Sequence, residues 1–170
     1  CHPRRAGLVC PCAPPRWTDL VTSRYGLEIR AATPLDAPGL VELFAATGQT
    51  VQAHELAERL VTVRQASGTV LIAGQWGPPS GLVVLHWYPT LDDARPTAQI
   101  TTLLVHPEER RRGIGRLLLK AAAQAARTTG CGQLELIAPA QAPSLDAFCL
   151  STGFVASGPR FTRSLRKKSQ

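Results

Sequence analysis

Leu103-Leu104-Val105-His106-Pro107-Glu108-Glu109-Arg110-Arg111-Arg112-Gly113-Ile114-Gly115-Arg116-Leu117-Leu118-Leu119 is the stretch that decides the fold of this chain. An apolar, β-branched run meets a proline-bounded turn, and an Arg-x-x-Gly-x-Gly loop then opens directly into an apolar helix. The two glycines let backbone approach a ligand closely and adopt φ/ψ values closed to other residues. The first N–H groups of the following helix lack internal partners, and the helix dipole favours negative charge there. Arg110, Arg111, Arg112 and Arg116 add donors suited to phosphate oxygens. The chemistry is that of an anion cradle shaped for a pyrophosphate.

Two familiar phosphate loops are excluded. A Walker loop needs Gly-Lys-Ser/Thr after its second glycine, and none follows Gly115. The dinucleotide fingerprint needs a third glycine where this chain has Leu118. What is left is strand, Arg-x-x-Gly-x-Gly, helix, with Arg110, Gly113 and Gly115 at the fixed places. Two further stretches stand in order around it. Glu28–Leu40 reads as a strand followed by an acid-marked helix start, and Ala147-Phe148-Cys149-Leu150-Ser151-Thr152-Gly153-Phe154 as a short helix ending on glycine. Together these resemble the GNAT superfamily of N-acetyltransferases, over roughly residues 27–165.

Helical spacing runs over 35–46, 52–65 (with Leu56, Leu60 and Val63 on one face) and 113–128, and a short helix over 144–152 has Ser144 as its expected N-cap. Strands are expected at 27–31, 69–73, 82–87, 98–105, 134–138, 154–156 and 160–165. The order matches the resemblance, which implies an α/β (α+β) GNAT fold. Its centre is a mixed, mostly antiparallel twisted sheet of about seven strands with about four helices. Strands four and five form a splayed parallel pair, the helix between them making the crossover.

Length and composition suit one domain with a sizeable core: 170 residues, 44% hydrophobic and 18% charged. The expected division is a flexible extension over 1–26 and a single domain over 27–170. The net charge of +7 sits on the ends, +3 over residues 1–26 and +5 over 160–170, leaving −1 for the body. With no aromatic-interleaved basic surface, that distribution argues against nucleic acid. The uncharged run 65–91 is cut by Gly74, Gly77, Pro78 and Pro79, so no membrane span is expected. An odd count of five cysteines, without a disulfide or zinc spacing, fits a reducing, cytoplasmic setting and no metal.

The resemblance implies transfer of acetyl from acetyl-CoA, as co-substrate, to a primary amine by direct attack in a ternary complex. Backbone groups of Leu103, Leu104 and Val105 would pair with the pantetheine arm, and Arg110, Arg111, Arg112, Gly113, Ile114, Gly115 and Arg116 would hold the pyrophosphate. The family's acid, a tyrosine, falls at Cys149, either a proton donor or a buried small hydrophobe. An asparagine often found seven residues earlier falls at Ala142, and the strand-four glutamate at Thr101 or Thr102, neither of which is a base. His86 on the preceding strand is the substitute base, directly or through water, against a packing role. His106 reads as structural, and Glu135 as a base through water or a solvated residue. Glu55, Glu58, Trp87, Tyr88, Asp92 and Asp93 would line an acceptor pocket suited to a cationic amine. Three functions stay open: a small-molecule amine acetyltransferase, a protein or peptide N-acetyltransferase, and an acyl-CoA-binding module without catalysis. A homodimer is open as well.

Overall fold

The computed structural model describes residues 26–139 and 142–163. The chain divides into two units at Ile137/Ala138. In the first, β1 (Glu28–Ala31) is followed by α1 (Ala37–Ala46), α2 (Ala53–Gln65), β2 (Gly68–Gly74), β3 (Gly81–Tyr88), β4 (Thr97–Val105), α3 (Ile114–Thr128) and β5 (Gln133–Leu136). The five strands form one sheet in the order β1-β2-β3-β4-β5, antiparallel except for the parallel β4–β5 pair. The mixed sheet and four helices agree with the sequence reading, but the strand count does not: five strands stand among the described residues. Phe154–Ala156 and residues 160–163 are not strands. Phe154 is followed by exposed Val155 and Ala156, with Gly158 and Pro159 close behind, so no alternating half-buried face exists to pair. Residues 1–25, and the end of the last expected strand at 164–165, lie outside the described residues.

Helices cover both faces of the sheet. Leu40 and Leu43 of α1 and Leu56 and Leu60 of α2 pack with Val70, Ile72 and Leu82 on one face. On the other face α3 buries Ile114, Leu118, Ala122 and Ala125. Small residues in α3 let it lie close to the strands, and Gly81 shows how close. A methyl group there would sit 2.9 Å from the Leu104 carbonyl oxygen and 3.0 Å from Leu118. The even-numbered residues of β3 therefore face α1 and α2, and the odd-numbered ones face α3.

Just before α1, Asp36 ties the turn at Pro34–Asp36 to β1. Its carboxylate accepts from Arg30 Nη2 and Nη1 at 2.6 and 2.9 Å, and from the Thr33 N–H at 2.8 Å. The Arg30 hydrogen bond, helped by Thr33 and opposed by burial, holds this carboxyl below the usual aspartate range. A carboxyl depressed in the folded state contributes stability above its unfolded pKa and loses it as pH falls through the lower folded value. Asp36→Asn should thus cost about 1 kcal/mol at neutral pH. The difference in thermal midpoint between wild type and variant should shrink as pH falls below the ordinary aspartate value of 3.8 and vanish below the lower folded value, where Asp36 itself protonates.

The second unit, from Ala138, contains α4 (Pro143–Ser151). It starts one residue before the expected cap: Pro143 occupies N1, where its missing N–H costs nothing, and Ala142 is the N-cap. Ser144 lies inside the first turn.

Candidate active site

Three features of the first unit converge on the C-terminal half of β4. The first is a bulge. Val84 pairs with Thr102 but Leu85 pairs with Ile100, so Thr101 is the extra residue, exposed and out of the ladder. Its trace in the sequence is a change of phase. Ala98 and Ile100 face α3 upstream, yet Leu103 and Val105 face it downstream, three residues after Ile100 rather than two or four. Thr101 and Thr102 thus lie where the carboxylate base was sought, and neither can act as one.

The second feature is an unpaired edge. The parallel register runs from Thr97↔Gln133 to Ile100↔Leu136, and a last bond joins the Ile137 N–H to the Ile100 carbonyl at 3.1 Å. Beyond it β4 continues to Val105, and no strand among the described residues pairs with it on that side. The His106 N–H donates to the Ser80 carbonyl at 2.8 Å, toward β3. By the antiparallel alternation, Leu104 also bonds toward β3, while Leu103 and Val105 direct their N–H and C=O groups to the open edge. The Val105 carbonyl accepts from Arg110 Nε there at 3.4 Å.

The third is the Arg-Gly loop. His106 caps the turn Pro107–Glu109, its Nδ1 accepting from the Glu108 N–H at 3.3 Å, which is the structural role expected of it. Arg111 then takes φ 67° and Gly113 φ 82°, both left-handed, so the backbone curls before α3 begins. For Arg111 this conformation is strained; for Gly113 it is free. Gly113 is the N-cap and offers no side chain to the helix. The first intrahelical bond runs from the Leu117 N–H to the Gly113 carbonyl, at 3.1 Å. The N–H groups of Ile114 and Gly115 precede it and have no acceptor within the helix. Arg110, Arg111, Arg112 and Arg116 surround this turn, Arg112 forming an ion pair with Glu109 at 2.9 Å.

His86 lies on β3, between Gly68 and Gln99 in register. Its ring is half-buried on the α1/α2 face, where Nδ1 and Val63 of α2 both close over Gly68. Burial pulls the imidazole below the ordinary histidine value of 6.5. The neutral, proton-accepting form therefore prevails at physiological pH.

Glu55 pairs with Arg59 at 3.3 Å, and the Asp93 carboxylate accepts from the Arg95 N–H at 2.9 Å. Trp87 and Tyr88, as neighbours on a strand, point to opposite faces.

In the second unit, Cys149 is half-buried on α4 and its thiol is free. Burial, with the nearby Asp146 charge, pushes that thiol above its ordinary value, so it stays protonated. Gly153 takes φ 92° just past α4, and the Phe154 N–H donates back to the Cys149 carbonyl at 3.0 Å, closing the helix as the glycine-ended motif suggested.

A parallel pair parted beside a bulge, with a glycine-capped helix start at its open end, is the architecture of this site. The chain belongs to the Acetyltransferase (GNAT) family, whose model matches residues 38–154, and acetyl transfer is the activity of that family. Solved structures share the fold. An acetyltransferase of Trypanosoma brucei superposes with a TM-score of 0.71 at 24% identity, over 82% of this chain and 99% of that one. An aminoglycoside acetyltransferase from an uncultured soil metagenomic sample, in complex with sisomicin, gives 0.70 at 22% identity over 83% and 97%. A ribosomal-protein-alanine N-acetyltransferase from Brucella melitensis gives 0.70 at 21% identity over 82% and 99%. At these identities the likeness is one of fold. No curated protein matches the chain in sequence. Among the described residues no helix is long and apolar enough to cross a membrane.

Proposed function

We propose that this protein binds acetyl-CoA along the open edge of β4 and transfers acetyl to the primary amine of a small molecule. The observation that carries the reading is the continuity of that edge with the Arg-Gly loop. Edge groups at Leu103 and Val105 suit the amides of a pantetheine arm. The curled backbone at Arg111–Gly113 and the N–H groups of Ile114 and Gly115 suit a pyrophosphate, with Arg110, Arg111, Arg112 and Arg116 around it. A methyl group at Gly113 would meet nothing within 4 Å, which is the open approach a phosphate needs. Bound acetyl-CoA supplies an activated acetyl group as a thioester.

The chain's own residues do the rest. A fixed edge N–H at Leu103 or Val105 stabilises negative charge growing on a carbonyl oxygen, commonly the greatest single contribution to acyl transfer. His86, neutral at physiological pH, takes the proton that an ammonium must lose. Cys149 holds a proton for a departing thiolate, the role that its place in the family motif suggests. Its raised pKa keeps that proton in alkaline solution. Cys149→Ala should accordingly lower kcat a few-fold, most strongly above about pH 8, where solvent protons are scarcest. A kcat profile from pH 6 to 10 that is identical in the two proteins would assign Cys149 to packing. The free thiols Cys131 and Cys149 suit a reducing, cytoplasmic setting.

The structural neighbours act on different acceptors while sharing one fold, so the acceptor must be argued from the site. Release of free CoA thiol, compared between small amines and N-terminal peptides, tests this. Faster release with small amines supports the reading. Turnover confined to peptides would replace it with N-terminal acetylation of proteins.

A further inference from the structure

Within the Arg-Gly loop, Arg111 stands at φ 67°, a conformation that a residue with a side chain keeps only where its surroundings impose it. The turn just before it supplies the restraint, and three hydrogen bonds of that turn meet at His106. The His106 N–H donates to the Ser80 carbonyl at 2.8 Å, which ties the end of β4 to the β2–β3 connection. Its carbonyl accepts from the Glu109 N–H at 2.9 Å, and its ring Nδ1 accepts from the Glu108 N–H at 3.3 Å. Two further contacts bracket Arg111. Arg110 Nε reaches back to the Val105 carbonyl at 3.4 Å, and Arg112 pairs with Glu109 at 2.9 Å. The turn Pro107–Glu109 is thus the base from which the left-handed step is made.

The ring bond carries a condition that the backbone bonds lack. Nδ1 accepts the Glu108 N–H only while it has no proton of its own, and an imidazolium would set donor against donor. Histidine is also the side chain that changes charge between about pH 5 and 8. The charged groups around the ring are Glu108 and Glu109 on its own turn, Arg110 and Arg112 beyond it, and Arg116 in the first turn of α3. The connection 75–80 and the first residues of β3, on the side of Ser80, bring none.

We propose that His106 is a positioning residue, which holds the Arg-Gly loop in its phosphate-binding shape only while its ring is unprotonated. This rests on the reading above, in which the loop takes the pyrophosphate of acetyl-CoA. With the cap in place, the curl at Arg111–Gly113 keeps its backbone N–H groups turned to one side before a ligand arrives. Protonation removes the cap, the turn loosens, and Arg111 relaxes to an ordinary φ. A positive ring near a phosphate would by itself tighten binding, so two effects of opposite sign compete. The charge acts from a part-exposed turn and is screened by solvent and salt, whereas the relaxed loop loses several aligned donors together. Binding therefore weakens as pH falls.

Two variants separate the cap from the charge. In His106→Asn the side-chain oxygen replaces Nδ1 as acceptor and does not titrate, so it rescues the cap at every pH; His106→Ala has no acceptor. Calorimetric titrations with acetyl-CoA at about pH 8 should give equal affinity for wild type and His106→Asn, and about fivefold weaker binding for His106→Ala, the effect of one cap. At about pH 5.5 wild type should bind about fivefold more weakly than His106→Asn and match His106→Ala. Comparison at one pH cancels the titration of the CoA phosphates themselves. Wild type equal to His106→Asn at both pH values, or tighter than it at the lower one, would overturn the proposal. An NMR pH titration without ligand separates it from the transferase reading. The Arg111 and Gly113 amide signals should move with the His106 ring in wild type and stay still in His106→Asn. That coupling in a protein that binds no acetyl-CoA would remove the transferase and leave the positioning role standing. An Arg111 amide that ignores the ring would remove the positioning role whatever the affinity.

Discussion

Replacing His86 with glutamine lowers kcat about a hundredfold, the lower end of what a positioned general base contributes, and leaves acetyl-CoA affinity unchanged. The position of the ring is the reason. Gly68 opposite His86 has no side chain, so the imidazole fills that space beside Val63 and is half-buried there. Burial alone lowers its pKa from 6.5; no charged group enters as a cause. The base is the neutral ring, so activity is present above the lowered pKa and is lost as pH falls through it. Wild-type kcat/KM should rise with pH along a limb centred below 6.5, a limb that His86→Gln lacks. Glutamine keeps much of the volume and a polar tip, so a folded variant with a matching melting temperature isolates the proton transfer. A kcat within twofold of wild type, with the acid limb intact, would return His86 to a packing role.

Gly113→Asp weakens acetyl-CoA binding between ten- and a hundredfold, or about 1.4–2.8 kcal/mol. Two physical effects add. At φ 82° any side chain is strained, and because a methyl group there meets nothing within 4 Å, that strain is purely conformational. The second effect is charge. An aspartate at the N-cap turns its carboxylate onto the N–H groups of the first turn, competing for them and repelling a phosphate. Gly113→Ala carries the strain without the charge and should lose clearly less. Calorimetric titration of the three proteins reads the series directly. Equal affinity in all of them would take the pyrophosphate away from this loop.

The elements carrying the strongest local signals are legible in the sequence. Leu103–Leu119 can be read because a strand, a proline turn, two glycines and an amphipathic helix follow one another without help from distant residues. Helix α3 begins at Ile114 because Gly113 serves as its N-cap. Pro143 moves the start of α4 by one residue for a similarly local reason, its preference for N1 prevailing over the capping preference of Ser144. What cannot be read depends on partners. The two expected C-terminal strands rest on short apolar stretches, and a strand exists only where another offers its edge. The placing of His86 opposite Gln99, and of Gln99 opposite Glu135, is set by register across three strands, and no segment of sequence records register. Thr101 is intermediate between these cases. The shift of phase between Ile100 and Leu103 is written in the sequence, but it reads as a bulge only once the pairing of β3 with β4 is known.

The central claim is that the open edge of β4 and the Arg-Gly loop hold acetyl-CoA for transfer to an amine. The most direct test titrates the wild-type protein with acetyl-CoA in a calorimeter, then adds amines to the same sample and follows free thiol. Saturable one-to-one binding followed by amine-dependent thiol release is the predicted result. An absence of acetyl-CoA binding, or saturation without thiol release for any amine or peptide, would contradict it.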